Sequence, residues 1–466
     1  MNRFAPLRRL LSVFGRPILA ACVVMAALLS PAEAQRQRLN YIRDAEIEQL
    51  LKDYLNPILR AAGQPPTAVR LMLVGDRSFN AFVSNGRRMT IYAGAIIDSA
   101  TPNQLIGVLA HEAGHIAGGH LARLSQELPR AQAIAAIGTL LGAGALVGVA
   151  TSRNTIGVSG AAPMGILSAG SELAMRSLLS YQRTEEAAAD RAAVNYLTAT
   201  KQSAKGMLEA FRRLAEQQMF LASRVDKYLL SHPLATERLA AIDAAARESP
   251  YFEAKDPPAL VQRHELTRAK LIAFLGRQDE IMRRYPPADA SLGARYARAI
   301  YAHRFSRGGD AQAQIDALIK AQPNNAYFWE LKGQNLLESA QAGAAIAPLR
   351  KAVTLAPGQP LLRVILGHAL MSSGVPANVQ QAITELTVAI QRDPEVYEAY
   401  VYLAQAYEKA GRTADAELTV AESYFFAGAY EEARLIAKRA QAKFPPGSPG
   451  WRRADDIVSF HTDKKG

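Results

Sequence analysis

Hydrophobic positions recur at helical spacing through most of this chain, with one short interval of strand-like runs near its start. Across residues 44–59, Ile47, Leu50, Leu51, Tyr54, Leu55 and Ile58 lie on one face, which predicts an amphipathic helix; Gly63-Gln64-Pro65-Pro66 ends it. Strands are predicted over 69–74 and 89–92, around Asn80-Ala81-Phe82-Val83 and a turn at Ser84-Asn85-Gly86-Arg87. Thr101 then reads as an N-cap, Pro102 as the first helical residue and Gln104 as the far half of a capping box. They open an apolar helix predicted to reach about Gln126, with Pro129 beyond it. Residues 131–150 are almost uncharged and rich in Ala and Gly, and a Gly/Ser-rich stretch follows to Gly170. The length would permit a membrane span, but leucines are few and glycines many, so a mobile, lid-like segment is expected. Further helices are predicted over 171–198 and 204–221.

A longer period takes over after Pro257-Pro258. Pro323 and Pro357 are 34 residues apart, the spacing of tetratricopeptide (TPR) repeats. Ahead of Pro357 the expected large and small positions are filled by Trp329, Gly333, Leu336, Ala345, Leu349 and Ala352. Ahead of Pro323 the match is looser, with Tyr296, Ala299, Ala311 and Ile315. Ahead of Pro394 it returns as Gly367, Leu370, Ala382, Leu386 and Ala389, once extra residues near Val375-Pro376-Ala377 are allowed. Units containing Tyr400 and Tyr424 close the array. Matches that stay in register predict stacked helical hairpins. The expected division is a leader over 1–34, a first domain over 35–256 with 131–170 as its lid-like segment, a linker over 257–288, repeats over 289–446 and a tail over 447–466.

Composition changes the picture mainly at the N-terminus. Arg3, Arg8, Arg9 and Arg16, an apolar run over 18–29 and Ala32-Glu33-Ala34 have the order of a cleavable secretory signal. The apolar run is shorter than the ~20 residues that a span needs. Cleavage after Ala34 leaves 50 basic against 41 acidic residues and removes Cys22, the sole cysteine. A thiol-free mature chain suits an oxidising compartment and excludes cysteine nucleophiles and cysteine-held zinc. The excess positive charge is spread without a dense basic block, so nucleic acid is not an expected partner. A mild peripheral attraction to anionic membrane surfaces is compatible with it.

The candidate chemistry lies in the apolar helix. His111-Glu112-Ala113-Gly114-His115 puts two imidazoles one turn apart on one face, at about 100° per residue, where both can hold one zinc ion. Glu112 lies beside that face, placed to act as a base toward metal-activated water. A third ligand is needed. His120 is about 140° away from His115 on a continuous helix and is read as a packing or supporting residue. A carboxylate from a second helix is the remaining source. In Glu185-Glu186-Ala187-Ala188-Ala189-Asp190, Glu186 and Asp190 are four apart and face the same way. Glu186 could complete the shell, while Asp190 could accept the other ring N–H of a ligating His and fix its tautomer. Glu185 is the competing ligand.

His111-Glu112-x-x-His115 followed by Glu186-x-x-x-Asp190 resembles the HtpX/CAAX-prenyl-protease family of zinc peptidases. Arg183 and Asn80-Ala81-Phe82 fit its pattern; Ala188 departs from it, standing where the family usually has a second Glu. The leader and the repeats narrow the resemblance to the periplasmic BepA-like branch, whose members act on outer-membrane protein assembly. The resemblance covers nearly the whole mature chain. It implies a mainly α protein: a gluzincin-type α+β metalloprotease domain with a small sheet, then an α-solenoid of TPR hairpins. It implies one Zn2+ per chain on His111, His115 and Glu186, with Glu112 as base, Asp190 in the catalytic set, and a substrate edge strand near Asn80-Ala81-Phe82. By the same resemblance His232 reaches the metal as a fourth, inhibitory ligand and Arg238 lies by the active site. The residues alone would make His232 a turn residue before Pro233.

The expected function is an exported zinc endopeptidase that degrades or quality-controls misassembled outer-membrane proteins in the periplasm. Its repeats would bind client or assembly machinery. The alternative is a chaperone or scaffold with a latent or structural zinc site. An intact Glu112 favours the peptidase, because a structural site needs no base.

Overall fold

Asp44 caps the first helix by accepting the Ile47 N–H at 2.9 Å, and α1 (Ala45–Ala61) buries the predicted stripe of Leu50, Leu51, Tyr54, Leu55 and Ile58. In the computed structural model, which describes residues 39–151, 161–220, 232, 236–305 and 310–461, this helix packs on a four-stranded sheet. The leader falls outside the described residues. The strands β1 (Tyr41–Ile42), β2 (Arg70–Val74), β3 (Ala81–Ser84) and β4 (Arg88–Tyr92) lie in the order β1-β2-β4-β3. β2 and β4 run parallel, and β3 pairs antiparallel with β4 through a turn in which Asn85 and Gly86 take φ of 51° and 66°. That pairing leaves β3 at an edge.

The short α2 (Ala93–Asp98) leads to α3 (Pro102–Gly118), which carries the His-Glu-x-x-His motif. Its start is as the sequence predicts: Thr101 Oγ1 accepts from the Gln104 N–H at 3.3 Å, and Gln104 Oε1 accepts from the Ala100 N–H at 2.8 Å. Leu105, Ile106, Val108, Leu109, Ala110 and Ala113 are all buried, so a helix that is apolar all round becomes the centre of the domain. It packs against α5 (Ala161–Ala199) and α6 (Lys205–Phe220).

The end of α3 differs from expectation. The helix does not run on to Gln126; it stops at Gly118, and Gly119 takes the left-handed conformation at φ 65°, which only glycine adopts without strain. A new helix, α4 (His120–Thr151), starts there and incorporates Pro129. It packs along α5, which begins well before the predicted Ser171. The expected lid-like segment thus starts within α4, passes through residues outside the described set and ends within α5. Among the described residues no helix is long and apolar enough to cross a membrane.

Two further stretches hold helices. The stretch predicted as a linker holds α8 (Pro258–Leu275) and α9 (Gln278–Arg284), numbered after α7 (Thr236–Glu248). Pro258 opens α8 at its first position. His264, buried at the centre of α8, meets the Tyr54 hydroxyl at 3.0 Å and donates to the Ser99 carbonyl at 2.8 Å, tying α8 into the first domain. The predicted C-terminal tail contains a helix as well.

Paired helices follow, resembling TPR hairpins: α10 (Leu292–Phe305) with α11 (Asp310–Ala321), α12 (Ala326–Glu338) with α13 (Ala342–Leu355), and α14 (Pro360–Ser372) with α15 (Ala377–Arg392). Then come α16 (Tyr397–Lys409) with α17 (Thr413–Phe426), and α18 (Tyr430–Gln441) with α19 (Pro449–Ser459). Small residues sit where helices close: a Cβ on Gly333 would run into the Leu349 side chain, and one on Gly367 into Leu386. Ala454 and Ile457 bury the former tail against Ala437 and Ala440. Tyr41–Gly466 forms one compact unit. Asp393, between α15 and α16, accepts from Arg43 at 2.5 Å, and Lys270 of α8 reaches Asp44, Glu46 and Glu330 at 2.6, 3.3 and 3.8 Å.

Candidate metal centre and active site

Helix α3 supplies His111, Glu112 and His115, and α5 supplies Glu186 and Asp190. Their approach depends on Gly114. A Cβ there would lie 2.9 Å from the Ala189 carbonyl oxygen and 3.0 Å from the Ala189 Cα, so any side chain would push away the turn of α5 that carries both carboxylates. Asn103 fixes the other flank: its side chain donates to the Ser203 carbonyl at 2.6 Å and accepts the Gly206 N–H at 2.7 Å, holding the start of α6. Phe211 of α6 then sets its ring edge-on to His111, centroids 5.6 Å apart.

The ligand-bearing atoms converge. His111 Nε2 and His115 Nε2 are 3.1 Å apart, and Glu186 places Oε2 at 3.4 Å from the first and Oε1 at 3.4 Å from the second. His232 Nδ1 lies 2.9 Å from Glu186 Oε1 and 3.4 Å from His111 Nε2. Each of His111, His115, Glu186 and His232 offers one ligand atom, all within 4.8 Å of one another. A tetrahedral ion bonded at about 2.0–2.1 Å spaces its ligands about 3.3 Å apart. The donor set therefore fits a four-coordinate metal ion. Lone pairs of neighbouring imidazoles at such distances repel unless a cation lies between them.

The electrostatics agree. With protons as the only cations, burial works against charge on His111, yet its hydrogen bonds to Asp190 and Glu186 raise it to about 10. The two carboxylates thus call for positive charge at that spot. His115, pushed down to about 2 by burial and then by the neighbouring His111 charge, is a neutral donor. Against burial, Glu186 and Asp190 are held well below the usual carboxylate range, chiefly by their hydrogen bonds with His111.

The supporting contacts are charged. His111 Nδ1 is 2.9 Å from Asp190 Oδ1. Arg238 of α7 donates from Nε to Asp190 Oδ2 at 2.8 Å and from Nη2 to Oδ1 at 2.9 Å, while its Nη1 lies 2.9 Å from Glu186 Oε2. Glu112 is buried, with Oε1 3.4 Å from His232 Nε2. Burial raises its carboxyl above the ordinary range; the His232 and His111 charges and the Val83 backbone N–H on edge strand β3 pull the other way. The sequence-predicted residues His111, Glu112, His115, Glu186, Asp190, His232 and Arg238 therefore meet in one buried cluster. Arg183 is exposed, and Glu185 turns to His120 and Arg123.

A buried His-Glu-x-x-His pair with a glutamate from a second helix is the motif of a zinc protease. The profile of Peptidase family M48 matches residues 42–246. Residues 42–246, which hold the whole cluster, are thus similar to the M48 peptidases. Across its greater length the chain is similar to the Beta-barrel assembly-enhancing protease of Yersinia pestis, 26% identical over 423 residues that make up 89% of this chain and 83% of that one. The protein of the same name from Escherichia coli (strain K12) is 26% identical over 423 residues, 88% of this chain and 82% of its own length. A Putative beta-barrel assembly-enhancing protease of Vibrio cholerae is 27% identical over 295 residues, 62% of this chain and 58% of the relative.

What the sequence missed in this site is local. The expected rotation of His120 away from His115 holds only for a continuous helix, and the break at Gly119 turns its ring back to His115. Gly118-Gly119 was the available signal. Asn103 and Gly114 left no pattern to read, because their importance depends on which helices cross there.

Proposed function

We propose that this chain is a zinc-dependent endopeptidase of the periplasm that acts on unfolded or misassembled outer-membrane proteins, with its repeats holding the client or the assembly machinery. The observation that carries the catalytic part is Glu112, a buried carboxylate beside a metal-capable cluster; a structural site has no use for it. The similarity to β-barrel assembly-enhancing proteases over both the peptidase and the repeats supports the client class.

His111, His115 and Glu186 would hold the ion. When bound, zinc supplies Lewis-acid polarisation of the scissile carbonyl and lowers the pKa of water. Asp190, clamped by Arg238, lies 2.9 Å from His111 Nδ1, where it can take that N–H and leave the Nε2 lone pair for the ion. Glu112 takes the proton of the attacking water and returns it to the departing amine. An extended client can add to β3, whose edge position and Val83 N–H lie beside Glu112.

His232 stands at the fourth position of the cluster and within 3.4 Å of Glu112, where it would compete with water and substrate. The enzyme is then latent until a client displaces this side chain. If the blocked form makes up nine-tenths of the population, His232→Ala raises the degradation rate of an unfolded outer-membrane β-barrel about tenfold. A rate equal to or below wild type removes the latency reading. For the function as a whole, the purified chain is expected to carry about one zinc and to degrade that β-barrel protein, with chelation stopping the reaction. A zinc-loaded chain, active-site His232 removed, that leaves it intact supports the scaffold alternative.

A further inference from the structure

The two ligand histidines of α3 are supported differently. His111 is held directly by a carboxylate–arginine pair, Asp190 and Arg238. On the other side, His115 turns Nε2 toward His111 and Glu186, so its Nδ1 faces away from the ligand cluster and meets His120 Nδ1 at 2.8 Å. His120 Nε2 in turn lies 2.8 Å from Glu185 Oε2. Arg123 grips Glu185, donating from Nη2 at 2.6 Å and from Nε at 3.3 Å, and the Tyr181 hydroxyl donates to the His120 carbonyl at 3.3 Å. His115 and His120 are both shielded from solvent, while Arg123 reaches the surface.

From this arrangement we infer that His120 is a positioning residue for the metal site, an inserted relay through which Glu185 and Arg123 orient His115. The argument rests on the placement of the metal proposed above. A metal ligand that binds through Nε2 must carry its proton on Nδ1, and that N–H needs an acceptor to fix the ring. The acceptor is the Nδ1 lone pair of His120, which leaves the His120 proton on Nε2, aimed at Glu185. All hydrogen bonds of the relay then run one way, from His115 to His120 to Glu185, and end on a carboxylate whose charge is matched by Arg123. His111 has the same pattern one link shorter.

The relay also has a position in the fold. His120 and Arg123 lie in the first turn of α4, and Tyr181 and Glu185 lie across from them on α5. These residues therefore clasp the base of the α4–α5 pair, so the orientation of His115 is tied to how that pair closes. Tilting α4 away from α5 at its base would withdraw the acceptor from His115 without touching the metal directly.

Zinc affinity measured by competition with a chromophoric chelator on the full chain tests this, together with the visible spectrum of the Co2+-substituted protein. His120→Phe, which fills the space without accepting a hydrogen bond, is expected to weaken zinc binding about 10–100-fold and to change the cobalt bands. His120→Asn, whose amide oxygen can still accept from His115, is expected to lose less and to restore the wild-type band positions. Glu185→Ala, a change one link farther from the metal that serves if the His120 variants do not fold, is expected to weaken zinc binding in the same direction. Thermal midpoints of the metal-free proteins should stay close to wild type. Zinc affinity and cobalt bands unchanged in His120→Phe overturn the inference, as do equal losses in the Phe and Asn variants matched by a fall in metal-free stability. His115→Ala is the separate control: if it leaves zinc binding intact, the placement of the metal fails and not the relay.

Discussion

Glu112→Gln is expected to lower kcat/KM for an unfolded β-barrel client by about 10²–10⁴-fold, the usual contribution of a positioned proton-transfer group, while zinc stays near one per chain. The two halves of this outcome have different causes. Glu112 contributes no atom to the converging ligand set of His111, His115, Glu186 and His232, so exchanging its carboxylate for an amide leaves the donors in place. It does remove a buried carboxylate that lies next to that set and can both accept and return a proton. Burial raises the Glu112 carboxyl above the ordinary range, which shifts it toward the working pH and makes the protonated form a usable acid for the departing amine. The measurement is degradation kinetics with metal content determined on the same preparation. Bound zinc with undiminished degradation would falsify the assignment of Glu112 and return the site to a structural role. Glu186→Gln separates the effects from the other side, since it is expected to lose zinc as well as activity.

Most of this site was legible in the sequence because it is written in helical spacing. His111 and His115, like Glu186 and Asp190, are i,i+4 pairs, and a pair at that spacing fixes its own relative direction whatever the rest of the fold does. The opening of α3 was legible for the same reason: the Thr101–Gln104 cap is a local hydrogen-bonding pattern. What could not be read depends on tertiary placement. The left-handed turn at Gly119 is one residue long, yet it reverses the direction of His120 and converts a residue expected to point away into a neighbour of His115. Pro257-Pro258 has the composition of a linker, but proline at a first helical position is also how a helix starts, and the buried partners of His264 decide between the two. The repeats were visible through their 34-residue period and their small residues, whereas the contact of Asp393 with Arg43 joins positions that no period relates.

Lys270→Met is expected to destabilise the protein by about 3–5 kcal/mol, the cost of leaving buried charges without their partner. Lys270 is buried, and its ammonium is the shared partner of Asp44 and Glu46 on the first helix side and of Glu330 on α12. Glu46 also accepts from the Tyr296 hydroxyl at 2.8 Å, so the cluster spans the peptidase, α8 and the first repeats. Burial opposes the Lys270 charge, but Asp44 and its neighbours hold it well above the usual lysine value, so the cation persists through neutral pH. Because one hydrophobic core runs from Leu50 and Leu105 through Leu271 to Tyr296 and Phe328, peptidase and first repeats should lose structure in a single transition, and the variant should move that transition as a whole. Glu330 gives the pH dependence. Burial pushes it up to about 8 from an ordinary 4.5, with Lys270 pulling the other way. Its folded value is raised, so the stability linked to its protonated form is complete below about 4.5 and is lost as the pH rises through about 8. Glu330→Gln is therefore expected to flatten the alkaline decline of the thermal midpoint, and Lys270→Met to steepen it. Denaturant and thermal unfolding between pH 6 and about 9 measure both effects. A loss below about 1 kcal/mol in Lys270→Met, the scale of an exposed ion pair, would mean that these carboxyls take up protons or water once the lysine is gone and that the Lys270 cluster adds little to the joint between repeats and peptidase.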